Sequence, residues 1–265
     1  MTATTGKCTL VASVLLALTG GDVGATSIVC IRSPEAVVIA ADSMLTVRSG
    51  DKERAAATEC KIRQSGTNFF ALSGLYKDPA RGFDVIDSIR DALRDRHSLR
   101  EGADAIAAKI ANDLLVELAR LKTESPEDYT FIKRRGRDLT SILLTGFEQG
   151  TAEAILLKFK PVVSEAGEMT LETERTACPG DCNPRNTQAF YLTDMKGIND
   201  YLGRGNKIDW QAPDKAAKLL VGLTIDAHTP GVAPPIDVLR IDANGPRWIA
   251  HKPECPEIDG SAATE

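Results

Sequence analysis

The sequence has little of the chemistry on which most hydrolases and nucleotide-binding proteins depend. It contains only three histidines, His97, His228 and His251. It has no Gly-x-Ser-x-Gly turn, no Gly-x-x-x-x-Gly-Lys phosphate loop and no His-Glu-x-x-His zinc motif. These absences exclude the common serine hydrolase, P-loop and metalloprotease templates.

Long apolar runs, basic excess and linkers are also missing. Outside the N-terminal leader, no apolar run approaches the roughly 18 residues that a membrane-spanning helix needs. The net charge of -5 argues against nucleic acid as the main partner, and the basic run at 133–137 is interpreted as a solvated loop. No linker or fixed-period repeat divides the 265 residues, so one domain is the simplest interpretation.

Residues 1–25 have the layout of a secretory leader. Lys7 and the amino terminus precede an apolar run at 8–18, and small residues stand at Val23-Gly24-Ala25, where a signal peptidase cuts. We therefore expect a periplasmic or secreted protein whose mature chain begins at Thr26. An uncleaved anchor or a propeptide without a role in export is the alternative.

The cysteines of the mature chain are odd in number and suit an oxidising compartment. Cys178 and Cys182 bracket a turn, so a local disulfide is expected, and Cys255 is a candidate partner for Cys60. Cys30 lies in an apolar run and is expected to be buried. Cys-x-x-x-Cys without a second ligand pair is a weak zinc signal, so no metal is predicted.

Hydrophobic patterns predict the order strands, two helices, strands, helices, strands, which is typical of an α+β fold with antiparallel sheets covered by helices. Residues 26–32 and 36–41 are predicted to form a hairpin, followed by an irregular stretch at 43–60. Asp78-Pro79 is predicted to start the first helix, and Gly102 to separate it from the second. The other predicted elements are a second β pair at 61–73, strands at 139–145, 153–159 and 168–176, a short helix at 187–199, a helix from Pro213, strands at 236–241 and 248–251, and a loose tail at 252–265.

Thr26 offers a base that does not depend on histidine. A threonine freed at the start of a mature chain can use its own α-amine, whose unperturbed pKa is about 7.7–8.0, to accept the hydroxyl proton. Cleavage after Ala25 would create that amine.

Four segments carry a family resemblance: Thr26-Ser27-Ile28-Val29, then 36–43, then 58–62, then Ala71-Leu72-Ser73-Gly74. They resemble the front of a proteasome β-type subunit or its bacterial relatives. The resemblance is specific over 26–75 and weaker to about residue 250. It implies a domain over 26–251 with the four-layer αββα sandwich of N-terminal nucleophile (Ntn) hydrolases, in which two antiparallel sheets lie between helical layers. It also implies threonine-type amide-bond hydrolysis and no cofactor.

The resemblance assigns roles by position. Thr26 corresponds to the nucleophile and Lys61 to the lysine beside it, while Asp42 corresponds to the carboxylate that orients that lysine. Gly74 corresponds to the glycine whose backbone N–H forms the oxyanion hole. Asp226 is a candidate for a late supporting aspartate.

Some positions depart from the family. Self-cleaving members usually have glycine where this chain has Ala25, which suggests that signal peptidase exposes Thr26. Met44 stands where arginine is common, and the loop around Asp226 is altered by Pro230. Leu45 and Leu72 are candidates for a substrate-specificity pocket.

The leading hypothesis is therefore an exported threonine hydrolase that acts on a peptide or amide substrate through an acyl-enzyme. Two alternatives remain: a small-molecule amidase of the same fold, and a catalytically inactive structural or assembly subunit. Homo-oligomerisation into a ring is expected only by analogy with proteasomes.

Overall fold

The structure is a computed structural model that describes residues 22–24, 26–49, 52–78, 81–94, 96, 98–135, 138–165 and 167–258. Most of the expected leader, including the cleavage residue Ala25, lies outside the described residues. So do the predicted helix start at Pro79 and the end of the tail from residue 259.

The described strands form three antiparallel sheets. The seven-stranded sheet has the order β1 (Asp22–Gly24), β7 (Asn68–Asp78), β9 (Thr140–Glu148), β10 (Thr151–Val163) and β11 (Met169–Cys178), with β6 (Arg63–Ser65) and β8 (Phe83–Asp84) also paired to β7. The five-stranded sheet has the order β12 (Gln188–Leu192), β2 (Ile28–Arg32), β3 (Ala36–Ala41), β13 (Asp237–Asp242) and β14 (Gly245–Ala250). A separate hairpin joins β4 (Met44–Ser49) to β5 (Lys52–Thr58).

The described part of the chain contains five helices: α1 (Val85–Leu93), α2 (Leu99–Glu124), α3 (Pro126–Arg135), α4 (Lys196–Gly203) and α5 (Pro213–Asp226). The Asp84 side chain caps α1 by accepting hydrogen bonds from the backbone N–H groups of Ile86 and Asp87. The Ser98 side chain caps α2 by accepting from the backbone N–H of Glu101. None of these helices combines the length and the apolar composition required to cross a membrane.

Strands β2 and β3 are buried on both faces, and successive residues face different cores. Ile28 and Ile39 pack between the two large sheets, whereas Val29 and Val38 pack against α4 and α5. A further core lies between the seven-stranded sheet and the helices α1 and α2. The chain therefore has the predicted α+β class with antiparallel sheets, and the hairpin over 26–41 is confirmed.

Most later elements match their predictions, including strands β9, β10, β11 and β13 and the helix that begins at Pro213. The predicted helix at 187–199 is wrong in its first half, because Gln188–Leu192 forms an edge strand paired to β2. Its second half contributes to α4. Phe190 and Leu192 are buried on the sheet, so tertiary packing decided the structure of this short segment.

Four further predictions are corrected. Residues 43–60 are not irregular, because β4 and β5 pair from Met44 opposite Thr58 onward. Gly102 lies inside α2 rather than between helices, and a Cβ there would meet the Leu93 side chain at 2.6 Å, so glycine allows α1 to pack closely. Asp78 ends β7 and pairs with Arg81 at 2.6 Å instead of capping a helix. The basic run predicted as a loop begins within α3, and its residues 136 and 137 lie outside the described part of the chain.

Two residues at the start of the segment predicted to be a loose tail are buried, while residues 253, 254, 256 and 257 are exposed. Lys252 and Cys255 are each 4% exposed, and Cys255 forms a disulfide with Cys60. A second disulfide joins Cys178 to Cys182. Both pairings agree with the sequence expectation, and Cys30 is a buried free thiol as expected.

Asp242 anchors the turn between β13 and β14. Burial opposes ionisation of its carboxyl, but hydrogen bonds from Arg247, from Arg240 and from the backbone N–H of Asn244 outweigh burial, so the pKa of Asp242 lies well below its usual value. The hairpin that leads into the C-terminal segment is thus held by an ionised carboxylate.

Candidate active site

Three of the five predicted site residues meet at one end of the five-stranded sheet. Thr26 lies just before β2, Asp42 directly follows β3, and Lys61 precedes β6. The Nζ atom of Lys61 is 2.7 Å from Oδ1 of Asp42 and donates a hydrogen bond of 3.2 Å to Oγ1 of Thr26. The antiparallel hairpin of β2 and β3 explains why Asp42 lies near Thr26, because it returns Asp42 to the level of Ser27, whose carbonyl accepts a hydrogen bond from the Asp42 N–H at 3.0 Å.

Each carboxylate oxygen of Asp42 accepts two hydrogen bonds from nitrogen donors. Oδ1 accepts from the Ser27 N–H at 2.8 Å and from Lys61, while Oδ2 accepts from the Met44 N–H at 3.0 Å and the Ala233 N–H at 3.3 Å. The side chain is fully buried. This pattern suits an ionised carboxylate and leaves no position for a donor group, so the charge of Asp42 is fixed in place.

Lys61 is held in a nearly closed environment, with a side chain only 5% exposed. Burial lowers the pKa of Lys61, and the attraction of Asp42 and Glu59 opposes that decrease, whereas the positive charge of Lys252 adds to it. A lysine in this position can donate to the Thr26 hydroxyl and, through its charge, disfavour protonation of a neighbouring amine.

Gly74 lies in β7 with a φ of +98°, a backbone conformation that favours glycine. A Cβ at this position would overlap the backbone carbonyl oxygen of Leu139, so the close pairing of β7 and β9 also requires glycine. Gly74 pairs with Gly24, two residues before Thr26 in the chain. The strand that contains Gly74 therefore runs past the N-terminal side of the candidate nucleophile.

Strand β1, which ends two residues before Thr26, lies at an edge of the large sheet. It pairs antiparallel with β7, with Val23 opposite Leu75 and Gly24 opposite Gly74. Leu72 and Leu75 lie in the core beside this edge, and the partly buried Leu45 packs against the same core.

Asp226 is not brought to this cluster. It lies exposed at the end of α5, and no hydrogen bond or ion pair joins it to Thr26, Asp42 or Lys61 among the described residues. A chain of hydroxyls reaches the site from that direction instead: Thr193 lies 2.9 Å from the Ser27 hydroxyl and 3.3 Å from that of Thr224.

A second buried lysine lies close to the site, and sequence reasoning missed it. Lys252 binds Asp237 at 2.6 Å and Ser43 Oγ at 2.6 Å. Ser43 follows Asp42 directly, but nothing in the sequence points to a lysine 209 residues further on. Only the folded sheet brings them together.

Within the described part of the chain, one group of possible metal ligands is found, formed by Cys60, Asp237 and Cys255, whose ligand atoms lie within 4.8 Å of one another. The two sulfurs are already bonded to each other, and the Asp237 carboxylate holds the ammonium of Lys252. Disulfide-bonded sulfurs are not thiolate ligands, and the Asp237 carboxylate is already paired with a positive charge, so this cluster does not suit a metal ion.

No family model matches the chain, and no curated protein sequence matches it either. The resemblance of residues 26–75 to proteasome β-type subunits therefore stays a hypothesis from the sequence.

Proposed function

We propose that this protein is an exported threonine-type Ntn hydrolase that cleaves peptide or amide bonds with Thr26 as its nucleophile. The observation that carries the proposal is the buried contact of Lys61 with both Thr26 Oγ1, at 3.2 Å, and Asp42 Oδ1, at 2.7 Å. A lysine fixed between a carboxylate and an N-terminal hydroxyl is the arrangement that the sequence resemblance implies. The three packed cores around two large sheets support the finer proposal of an αββα sandwich.

The chemistry follows from the geometry once Thr26 carries a free amine. The amine accepts the Oγ1 proton while Oγ1 attacks the substrate carbonyl, and the resulting tetrahedral oxyanion is stabilised by the backbone N–H of Gly74. Collapse of this intermediate transfers the proton to the departing amine and leaves an ester on Thr26. Water then hydrolyses the ester and regenerates the hydroxyl. Lys61 donates to Oγ1, and Asp42 keeps it in position.

Strand β1 favours an extended peptide as the substrate. It pairs with β7 from Gly74 to Lys77 on the N-terminal side of Thr26, and removal of the leader would take this neighbouring strand away from β7. An extended peptide can add to such an edge as a strand, which supplies affinity through main-chain hydrogen bonds. A small-molecule amidase would have no use for this edge.

The disulfides support the export part of the proposal. Cys60–Cys255 and Cys178–Cys182 both require an oxidising compartment to persist. A periplasmic or secreted location would supply it, and the same export route would remove residues 1–25.

The decisive experiment compares the full chain, expressed with its leader and recovered after processing, with Thr26→Ala and Thr26→Ser variants. N-terminal sequencing establishes whether the chain starts at residue 26. Hydrolysis of a fluorogenic peptide library and labelling with a peptide β-lactone are then measured, with the labelled residue located by mass spectrometry. We expect hydrolysis and an acyl adduct on residue 26 in the wild type and in Thr26→Ser, and neither in Thr26→Ala.

Hydrolysis that persists in Thr26→Ala would refute the assignment of the nucleophile. A processed wild-type chain that neither hydrolyses peptides nor forms the adduct would favour the inactive assembly subunit.

A further inference from the structure

The arrangement of hydroxyl, lysine and aspartate at Thr26 is repeated by Ser43, Lys252 and Asp237. Lys252 Nζ lies 2.6 Å from Ser43 Oγ and 2.6 Å from Asp237 Oδ2, and the Lys252 N–H donates to Asp237 Oδ1 at 3.0 Å. Ser43 and Asp237 are fully buried and Lys252 is 4% exposed. Substrate cannot reach this second cluster, and the Ser43 hydroxyl already donates to the Pro235 carbonyl at 2.7 Å.

Two links join the second cluster to the candidate site. Ser43 directly follows Asp42 in the chain, so contacts that hold the Ser43 side chain also hold the backbone of Asp42. Cys60, the residue before Lys61, is bonded to Cys255, and Cys255 N–H donates to the Lys252 carbonyl at 3.0 Å. Each member of the Asp42–Lys61 pair thus has a neighbour in sequence that is attached to the Lys252 segment.

The backbone reinforces these links. The Ser43 N–H donates to the Ala233 carbonyl at 3.1 Å, while the Ala233 N–H donates to Asp42 Oδ2 at 3.3 Å. The Ser43 carbonyl accepts a hydrogen bond of 2.8 Å from the Glu59 N–H. Displacement of Ser43 would therefore move both Asp42 and the segment that leads to Lys61.

We propose that Lys252 is a positioning residue of the hydrolytic reaction, which acts through Ser43 and Asp237 to hold the Asp42–Lys61 pair against Thr26. The inference rests on the proposed function and deepens it, because it extends the reactive machinery to the C-terminal segment. Lys252 contacts neither Thr26 nor the expected substrate edge among the described contacts, so its effect is exerted on the placement and charge of Lys61.

The charge of Lys252 has a measurable consequence of its own. The ionisable groups that act on Lys61 are Asp42, Glu59 and Lys252, with Asp237 paired to Lys252. Loss of Lys252 removes a repulsive charge and leaves the Asp237 carboxylate without its counter-ion. Both changes favour a protonated Lys61, so its titration should move to higher pH.

The test uses the processed full chain in four forms: wild type, Lys252→Met, Lys252→Arg and the control Lys160→Met. Lys160 is an exposed lysine that pairs with Glu174 at 2.6 Å, so its loss matches the change in side-chain chemistry without touching the site. We measure kcat and KM for a peptide substrate, the folded fraction by circular dichroism, and the titration of Lys61 by NMR of Cε-labelled lysine, assigned from Lys61→Met.

Lys252→Met should lower kcat by about 10- to 100-fold with little change in KM, as expected when a reacting group is misplaced while substrate binding is kept. Its Lys61 titration should move upward, Lys252→Arg should recover most of kcat, and Lys160→Met should match the wild type. An unchanged kcat per folded molecule together with an unmoved Lys61 titration would overturn the inference. So would a loss of kcat that follows the folded fraction alone.

A second variant keeps the inference testable if Lys252→Met does not fold. Ser43→Ala retains the Lys252–Asp237 ion pair and removes only the hydroxyl between Lys252 and the Asp42 peptide. It should lower kcat by about tenfold, whereas full activity in a folded Ser43→Ala chain would show that the bridge has no positioning role. The NMR titration needs no turnover, so a chain without Thr26-dependent hydrolysis would refute the proposed function while Lys61 still reports on Lys252.

Discussion

Replacement of Asp42 by asparagine tests whether the Asp42–Lys61 pair has the buried, charge-compensated character on which the proposed chemistry depends. Asn and Asp have nearly the same shape, so the change removes one charge and converts one acceptor into a donor. Both oxygens of Asp42 face N–H donors, from Ser27 and Lys61 on one side and from Met44 and Ala233 on the other. Whichever way the new amide is turned, its NH₂ group opposes two donors.

The expected size of the effect follows from burial. Asp42 is fully buried and the Lys61 side chain is 5% exposed, and removal of one partner from a buried ion pair costs about 3–5 kcal/mol. Lys61→Met should cost less, about 1–3 kcal/mol, because the three backbone donors to Asp42 remain. The double variant Asp42→Asn/Lys61→Met should be less destabilised than the sum of the two single changes, since it leaves no isolated charge.

The assay is urea unfolding of the oxidised chain at neutral pH, followed by far-ultraviolet circular dichroism, with the midpoint and the slope compared between variants. Glu174→Gln is the matched control, because Glu174 pairs with Lys160 at 2.6 Å but both side chains are exposed, at 45% and 40%. We expect no measurable change in the control. A loss of stability in Asp42→Asn no larger than in Glu174→Gln would refute a buried charge pair at the site and the mechanism derived from it.

The remaining predictions concern the surroundings of the site. Gly74→Ala should lower the free energy of unfolding by about 3 kcal/mol or more, because the new side chain strains φ and overlaps a backbone carbonyl. The control Gly66→Ala lies at a φ of +59° with open space around it, so urea unfolding should show a clearly smaller loss. Equal losses in the two variants would contradict the overlap. Replacement of Cys60 and Cys255 by serine releases a link across 195 residues and should cost up to about 5 kcal/mol by the chain-entropy relation, whereas an unchanged melting temperature would contradict this. Because the pKa of Asp242 is lowered in the folded state, its stabilising effect should be present above its unfolded pKa of about 3.9 and decline as the pH falls below that value. The difference in unfolding free energy between wild type and Asp242→Asn should therefore shrink in acid, and a constant difference would be inconsistent with the shift.

The sequence was sufficient for the parts of the site that depend on local order. Thr26 and Asp42 flank a hairpin of β-branched residues, and their separation determines that they meet at one end of it. Lys61 stands at the start of the next β segment, and the resemblance to proteasome β-type subunits, rather than local geometry, predicted its place beside Asp42. The two contacts of Lys61 span 35 residues to Thr26 and 19 residues to Asp42.

Long-range packing explains what the sequence did not reveal. The Lys252–Ser43 contact spans 209 residues and the Thr193–Ser27 contact spans 166, and neither pair has a motif. Asp226 was chosen by position alone, yet the end of α5 turns its carboxylate outward, and Thr224 two residues earlier is the buried side chain. Gln188–Leu192 became a strand because β2 offered it an edge, which no local propensity could indicate.

The expected leader and the candidate site are joined by a single peptide bond. While Ala25 is joined to Thr26, the nitrogen of Thr26 belongs to an amide and cannot accept a proton, and β1 occupies the β7 edge beside Gly74. Cleavage of that bond would change both features at once. It creates the amine, and it separates the segment that contains β1 from the rest of the chain. A hydrolase built on Thr26 would therefore be inactive before cleavage for two independent reasons, one chemical and one steric. A recovered chain that begins upstream of Thr26 would therefore favour the assembly subunit before any substrate is known, whereas for a chain that begins at Thr26 the hydrolysis and labelling assays separate the two interpretations.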